Sequence, residues 1–522
     1  MADLAVPVET ELRLAIDPEA AGTIRSHPAL KGLVTGRARH ARVVTTYHDT
    51  ADQRLRRDGV ALRVRRDGMH WKLSIKGTAL PDATPGTIAR PELEWKADGP
   101  TIDLVRLMTT PWRASFAKAL RKGKLAPVFS TDVQRTTLPL SFSDGTTATL
   151  AIDLGAIAMP DGRATAGDAR IAELELELAT GDANRLVELA TRLAADLPVA
   201  IEPRGKAERG YALADGTSPN PSRSREIDHE DDTTAAQALS SVVTECVRQL
   251  AANTLGFRGP HLGDPEWVHQ MRIGVRRLRS CVALAEGMAP AKSLDDLRAQ
   301  TRWVLDALGP ARDLDVFADQ TLPAVLADLE RAGSEALAWV LQLQRGAKRR
   351  RRSADDAALA CVSSARFTRF VLAADGVAGA LRIATGGEAH VRARKFAARI
   401  IDKRVRRLAK AGENLAHASI EARHATRIAA KKLRYATEFF ATLFPRRRTK
   451  AYRDALAKLQ DALGAFNDAA VASRVAGVLA GPTAPATVAI EAWSAARTER
   501  CADAIDTAWA RYAKARPFWT RD

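Results

Sequence analysis

Polar and apolar residues alternate along the first two fifths of the chain, most cleanly where the polar members are charged. Val8-Glu9-Thr10-Glu11-Leu12-Arg13-Leu14 opens the pattern. Neighbouring side chains on a strand point to opposite faces, so Glu9, Glu11 and Arg13 share one face and Leu12 and Leu14 take the other. The period returns in Arg42 to His48, Leu62 to Arg65, Trp71 to Lys76, Pro91 to Trp95, Val133 to Arg135, Thr147 to Asp153 and Ile171 to Leu178. Asp67-Gly68 between two of these runs predicts a hairpin. Short helices are expected near Asp17 to Ala29, Ile102 to Met108 and Trp112 to Arg121.

Thr217 to Ser222 is turn-rich, and after the acidic run Glu226 to Asp232 the period becomes that of a helix. This divides the chain into a strand-rich domain over 1–215, a linker over 216–232 and a helical domain over 233–522. The helical part is written twice. His269-x-x-Arg272-x-x-x-Arg276-Arg277-Leu278-Arg279 returns 155 residues later as His424-x-x-Arg427-x-x-x-Lys431-Lys432-Leu433-Arg434. Ala307-Leu308-Gly309 with Arg312-Asp313 returns at the same offset as Ala462-Leu463-Gly464 with Asn467-Asp468. Duplication is the simplest account, with repeats of about 233–385 and 386–522. In each copy the His and three cations fall at steps of three, four and three, one stripe of a helix about 15 Å long. Met271, Val275, Leu278 and Val282 form the apolar stripe behind the first.

Charge separates the two parts. The chain carries a formal +17 in 522 residues, yet 1–215 holds 30 basic against 28 acidic residues, so nearly all the excess lies beyond it. The helical part should therefore meet a polyanion. Cys246, Cys281, Cys361 and Cys501 lack metal-ligand spacing and suggest reduced thiols. No apolar run approaches the ~18 residues of a membrane span, and Met1 to Val8 lacks the pattern of a signal peptide. A soluble, cytoplasmic protein without membrane contact is expected.

A face carrying Glu9, Glu11 and Arg13 can be a solvated edge, or two carboxylates sharing a hard divalent cation. Six or more strands with mixed charge favour a closed antiparallel sheet, its polar faces turned inward and its apolar faces covered by helices. Such an interior suits a small, highly charged phosphate compound and its metal.

In order and spacing these residues resemble the CYTH domain, the family of triphosphate tunnel metalloenzymes. Glu9 and Glu11 match its opening Glu-x-Glu-x-Lys, with Arg13 in the Lys place; Arg63 and Arg65 match its Arg-x-Arg strand, and Lys76 its Lys before Gly. Arg135, Asp153, Glu173 with Glu175, and the closing Lys206-Ala207-Glu208-Arg209-Gly210-Tyr211 follow. The resemblance implies an α+β fold, an eight-stranded antiparallel tunnel with peripheral helices, and Mg²⁺ or Mn²⁺ as cofactor. It implies Glu9, Glu11, Asp153, Glu173 and Glu175 as metal ligands. Arg13, Arg63, Arg65, Lys72, Lys76, Arg135 and Lys206 would bind substrate, with Glu9, Glu11, Arg13, Lys76, Glu173 and Glu175 carrying catalysis. Glu92, Glu94 and Glu177 share the phase without an assigned part. Arg13 is a departure, since an arginine keeps its proton and reads oxygens in a planar fork.

The helical half resembles the CHAD family, paired helical bundles whose basic stripes bind polyphosphate. The resemblance implies a polyphosphate surface of His269, Arg272, Arg276, Arg277, Arg279, His424, Arg427, Lys431, Lys432 and Arg434. Lys348 to Arg352 and Arg446 to Arg448 would extend the field as loop runs. Together the halves suggest a divalent-metal-dependent inorganic triphosphatase acting on triphosphate or short polyphosphate, in the cytoplasm or at polyphosphate granules. The competing expectation is a granule-binding protein with weak or no hydrolase activity. Nucleic acid is disfavoured, because no aromatic interleaves with either stripe as a stacking platform.

Overall fold

The computed structural model describes residues 6–80, 87–162, 169–258, 263–413, 415 and 418–520. Eight of the strands are β1 (Val8–Ala15), β2 (Arg39–Asp49), β3 (Ala61–Asp67), β4 (His70–Lys76), β5 (Ile88–Ala97), β6 (Ala126–Ser141), β7 (Thr147–Ala158) and β8 (Arg170–Thr180). They pair antiparallel in the order β1, β5, β4, β3, β2, β6, β7, β8 and back to β1. The sheet is thus the expected eight-stranded barrel. The two-residue β9 (Ala200–Ile201) adds to β1 beside its last residues. Gly68, at φ 61°, makes the β3–β4 turn a conformation open to glycine.

Alternation explains the closure. Leu12 and Leu14 of β1, Leu138 and Leu140 of β6, Leu150 and Ile152 of β7, and Leu174 and Leu176 of β8 form one outer apolar face. Helix α1 (Ala21–Arg25) contributes Ile24 to that core, and α5 (Asn184–Asp196) covers it with Leu186, Leu189 and Leu193. On the other side Leu62, Val64, Leu73 and Ile75 of β3 and β4 meet Leu55 of α2 (Arg54–Arg57), Leu107 of α3 (Leu104–Leu107) and Phe116 of α4 (Arg113–Lys122). Each large side chain buried in this way contributes roughly 1.5–3 kcal/mol. A one-residue slip of any strand would turn its charges into these cores and its leucines inward. Helix α6 (Lys206–Ala214) follows Gly205, where a Cβ would come within 2.5 Å of Nη1 of Arg13. Any larger residue there would oblige that guanidinium to shift.

The first compact unit comprises Met1–Asn220 together with Thr254–Pro260 and Ser363–Gly376. Within it Arg258 donates to Glu202 and to the carbonyl of Ile201, both at 2.9 Å. Thr368 donates to the carbonyl of Val199 at 2.7 Å, and Leu372 joins the core under α5.

The second unit, Pro221–Asn253, His261–Val362 and Val377–Asp522, is helical. Its helices begin with α7 (Ala235–Asn253), α8 (Pro265–Val282) and α9 (Ala291–Val316), the last running into a π-helical turn over Phe317–Thr321. There follow α10 (Leu322–Arg331), α11 (Ala336–Val362) and α12 (Ala365–Arg382), whose first turns belong to the barrel unit. The second repeat supplies α13 (Ala393–Ala411), α14 (Ile420–Phe439), α15 (Arg446–Ala480) and α16 (Pro485–Ala513). The duplication is exact at the caps of the two His helices: Asp264 caps α8 and Ser419 caps α14, so His269 and His424 are each the fifth residue of their helix. Lys348 to Arg352 lies inside α11, not in a loop as the sequence suggested, and Arg446 to Arg448 begins α15. No single helix among the described residues is long and apolar enough to cross a membrane.

Candidate active site and polyanion surface

The barrel encloses a cavity of about 830 Å³ lined by Glu9, Glu11, Arg13, Arg63, Arg65, Lys72, Lys76, Arg135, Glu175 and Lys206, all singled out from the sequence, and by Arg90, Glu92, Glu94 and Glu177. Register explains their pairing. Lys76 stands opposite Glu92 across β4 and β5, Arg13 opposite Glu175 and Glu11 opposite Glu177 across β1 and β8, and Arg135 opposite Asp153 across β6 and β7. Opposite charges meet at three of these pairs, while at Glu11 and Glu177 two carboxylates face each other. Arg63 donates to Ser74 at 2.7 Å and Glu92 at 2.8 Å, and Lys76 pairs with Glu9 and, at 3.4 Å, with Glu92.

Three acidic residues come together on β7 and β8. Ligand oxygens of Asp153, Glu173 and Glu175 lie within 4.8 Å of one another. Their charge is already met: Nζ of Lys206 lies 2.8 Å from Asp153, 2.7 Å from Glu175 and against Glu173, while Arg135 clasps Asp153 and reaches Glu175 at 2.7 Å. Burial opposes the charge on Lys206, but the three carboxylates outweigh it and hold its pKa above the ordinary lysine range. Lys206, expected to bind phosphate, lines the cavity and neutralises the three carboxylates. Glu9 and Glu11, expected as metal ligands together with Asp153, Glu173 and Glu175, line the cavity outside this three-membered group.

The opposite imbalance is found along β1 and β8. Burial, then the charge of Glu9, with Glu175 and Glu11 adding to it against Lys76, pushes the Glu177 carboxyl up to about 7. Negative charge is in excess there, and an oxygen-coordinated divalent cation fits it. Guanidinium donors are unmet as well, although Arg13 has Glu11 at 3.7 Å and its carboxylate neighbours outweigh burial to raise its pKa. Nε and Nη2 of Arg13, Nε of Arg65 and Nε of Arg90 are buried without a hydrogen-bond partner. Arg63 first, then burial and Arg135, push Arg65 below the ordinary arginine range; burial and then Arg13 do the same to Arg90. A ligand that brings oxygen anions and a cation would relieve both imbalances at once. Arg90 escaped the sequence reading because that strand was begun at Pro91. One more residue at the same period, Arg90-x-Glu92-x-Glu94, places it on the inner face.

In the helical unit the two stripes converge on Arg276. Its charge bears on Arg427 and Lys431 of α14. Lys431 is pushed down to about 7 by burial, then by Arg427, Arg276 and Arg434, with Asp468 opposing. Burial, then Arg312, Arg276 and Arg272, against Glu266, lower His269, and Nδ1 of His424 lies 3.1 Å from Asn467. Asp313 pairs with Arg474 at 2.7 Å. Arg279 and Lys432 are exposed, and Arg434 meets Gln460 at 3.1 Å and Glu438 at 3.0 Å.

Two expected surface cations are not surface groups. Arg277 is 3 % exposed, bonded to Glu438 at 2.6 Å and stacked over Phe439, because its position faces the apolar side of α8. Arg272 is 8 % exposed and donates to the carbonyl of Leu305 at 3.1 Å; burial and then Arg276 push it down to about 10. Of the Lys348 to Arg352 run, Arg351 is bound to Asp315 at 2.9 Å and the others are exposed.

Comparison with known proteins places two family models on the chain, the CYTH domain over residues 8–211 and the CHAD domain over 241–477. An uncharacterized protein of Mycobacterium tuberculosis is 30% identical over 272 residues, 50% of each chain. An inorganic triphosphatase of Haemophilus influenzae is 27% identical over 217 residues, 39% of this chain and 54% of the relative. The chain spans about half the length of the curated relatives it matches. The crystal structure of the CHAD domain from the plant Ricinus communis matches at TM-score 0.50 and 30% identity, over 57% of this chain and 98% of that one.

Proposed function

The chain belongs to the proteins that join a CYTH domain to a CHAD domain, and on that premise we propose that its barrel hydrolyses inorganic triphosphate or short polyphosphate while its helical unit binds longer polyphosphate. One observation carries the reading of the barrel: buried guanidinium donors without partners share a cavity with a carboxylate face of excess negative charge. Arg13, Arg63, Arg65, Arg90 and Lys76 grip the phosphate oxygens, and the fixed positive charge stabilises the charge that moves to the leaving phosphate. Glu9, Glu11, Glu175 and Glu177 would hold the divalent cation, Mg²⁺ or Mn²⁺, which when bound activates water and neutralises phosphate charge. Lys206 and Arg135 outweigh burial to hold Asp153 and Glu175 below the ordinary carboxylate range, while burial raises Glu173 beside them.

Phosphate release tests this on triphosphate, pyrophosphate, long polyphosphate, ATP and thiamine triphosphate, with Mg²⁺, Mn²⁺ or chelator. Triphosphate should be the fastest substrate and should require metal. Undiminished release in excess chelator would remove the cation from the reading. No release from any substrate with metal would leave a binding protein.

Polyphosphate affinity should also fall as pH rises through about 7, the region to which Lys431 is pushed. A polyanion binds the ammonium form, so binding takes up a proton above that pH and needs none below it. Arg427, Arg276, Arg434 and Asp468 are the charged groups that act on Lys431. His269, lowered below the ordinary histidine range, adds its own change at more acid pH. Titrations at pH 6 and 8 should differ, and Lys431→Arg should flatten the difference. A pH dependence equal in the variant would place its origin elsewhere.

A further inference from the structure

The two repeats differ most in the helix that precedes each His helix. In the first repeat α7 packs against α8 and carries one cation, Arg248, and one acid, Glu245. In the second α13 packs against α14 and carries eight Lys or Arg against the single Asp402. The same place in the fold is filled in the first copy without net positive charge. The cations of α13 are therefore not a requirement of the architecture.

Nor are they a requirement of α13 itself. Its buried face is apolar, made of Phe396, Ala397, Ile401 and Leu408. Lys395, Arg399, Lys403, Arg406 and Lys410 follow at steps of four, four, three and four and are all exposed, one stripe about 22 Å long. Like charges at this spacing destabilise a helix. Arg399 is screened by Glu388 and Arg406 by Asp402 at 3.1 Å. Lys395, Lys403, Arg407 and Lys410 have no acidic partner among the described residues.

Helix α13 is seated against α14 by its other side. Nη1 of the half-buried Arg404 donates to the backbone carbonyl of Lys432 at 2.8 Å, and burial, then Arg407, push Arg404 down to about 10. The exposed Arg407 lies around the helix between this contact and the outer stripe.

We propose that the exposed face of α13 is a second, unduplicated polyanion track, separate from the α14 stripe, so that the helical unit holds a long linear polyphosphate by a footprint longer than the two His-helix stripes. The proposal rests on the reading of this unit as a polyphosphate binder. It predicts chain-length selectivity: a short oligophosphate is held at the convergence of α8 and α14, and only a long chain reaches α13 as well. It also predicts asymmetry, since the first repeat has no such track.

The test uses the full chain with Lys403→Gln, Arg407→Gln and Lys410→Gln combined, all exposed positions, with circular dichroism to verify unchanged helicity. Affinity for long-chain polyphosphate should fall about tenfold or more at physiological salt. The slope of log affinity against log salt should shrink by about two, since each lost contact removes roughly 0.7 on a single-stranded polyanion. Affinity for a short oligophosphate should be unchanged. An unaltered long-chain affinity and slope would overturn the track, as would equal losses for long and short chains. If equally charged duplex DNA loses affinity to the same degree as polyphosphate, the face is a general basic field and the commitment to polyphosphate falls. Should the unaltered protein bind no polyphosphate, the function proposed above fails and the track with it. If Arg276→Glu with Lys431→Glu removes binding while the α13 variant does not, the track alone fails.

Discussion

In Lys206→Met, triphosphate hydrolysis falls by about a hundredfold or more, and the barrel comes to depend on divalent cation for its stability. Lys206 lies within 2.8 Å of Asp153 and of Glu175 and against Glu173, in a place where all three carboxylates are largely buried. Removing one partner of a buried ion pair leaves the other uncompensated, at a cost of roughly 3–5 kcal/mol. Arg135 and Arg209 stay near the group but cannot replace an ammonium that touches all three members. The carboxylates must then take up protons or a cation. Mg²⁺, Mn²⁺ or Ca²⁺ should raise the variant's melting temperature well beyond any rise in the unaltered protein. Loss of a preorganised electrostatic group at a reacting centre costs about 10²–10³ in rate, which sets the expected fall in hydrolysis. Thermal unfolding with and without cation, beside phosphate release, separates the two effects. A variant as stable as its parent and indifferent to cation would show that Lys206 is not the counter-ion of this group.

Polyphosphate affinity drops at least about a hundredfold in the double variant Arg276→Glu, Lys431→Glu at physiological salt. Each reversal removes a cation and adds an anion where the stripes of α8 and α14 meet, and ion release makes such contacts strongly salt-dependent. These positions are chosen over Arg272 and Arg277, which are bonded inside the unit, so that changing them would test folding instead of binding. Arg349→Glu with Arg350→Glu, on the exposed face of α11, makes the control. Isothermal titration or filter retention at several salt concentrations reads both. Equal losses in the two variants would mean that total charge governs binding and that the convergence on Arg276 has no special part.

The alternation of charged and apolar residues made the barrel legible, because a period of two with charge on one phase has few stable outcomes once helices are available to cover the other phase. Most of the cavity wall followed from the same phase. What the phase does not tell is partner choice around the barrel. Lys206 and Arg13 belong to the same inner wall, yet one neutralises three carboxylates and the other keeps free donors, a distinction set by pairing of β1 with β8 and by the start of α6. In the helical unit the 155-residue repeat marked both His helices, though not the residues that cap them. Repetition also misled: Arg277 and Lys432 occupy equivalent positions, but only Arg277 has Glu438 and Phe439 to receive it inside. The basic face of α13 was passed over because it lies in one repeat alone, and attention to the repeated motif favours what recurs.

The core of the barrel unit includes Leu372, and its backbone carbonyl at Val199 is bonded by Thr368. A ribosome adds roughly 5–20 residues per second. More than 140 residues separate Asn220 from Ser363, so the segment that completes this core emerges several seconds to half a minute after the last strand has been made. Through that interval the outer leucines beneath α5 lack their final cover. The barrel unit cannot be finished until much of the first helical repeat has been made, so its assembly is tied to synthesis of that repeat.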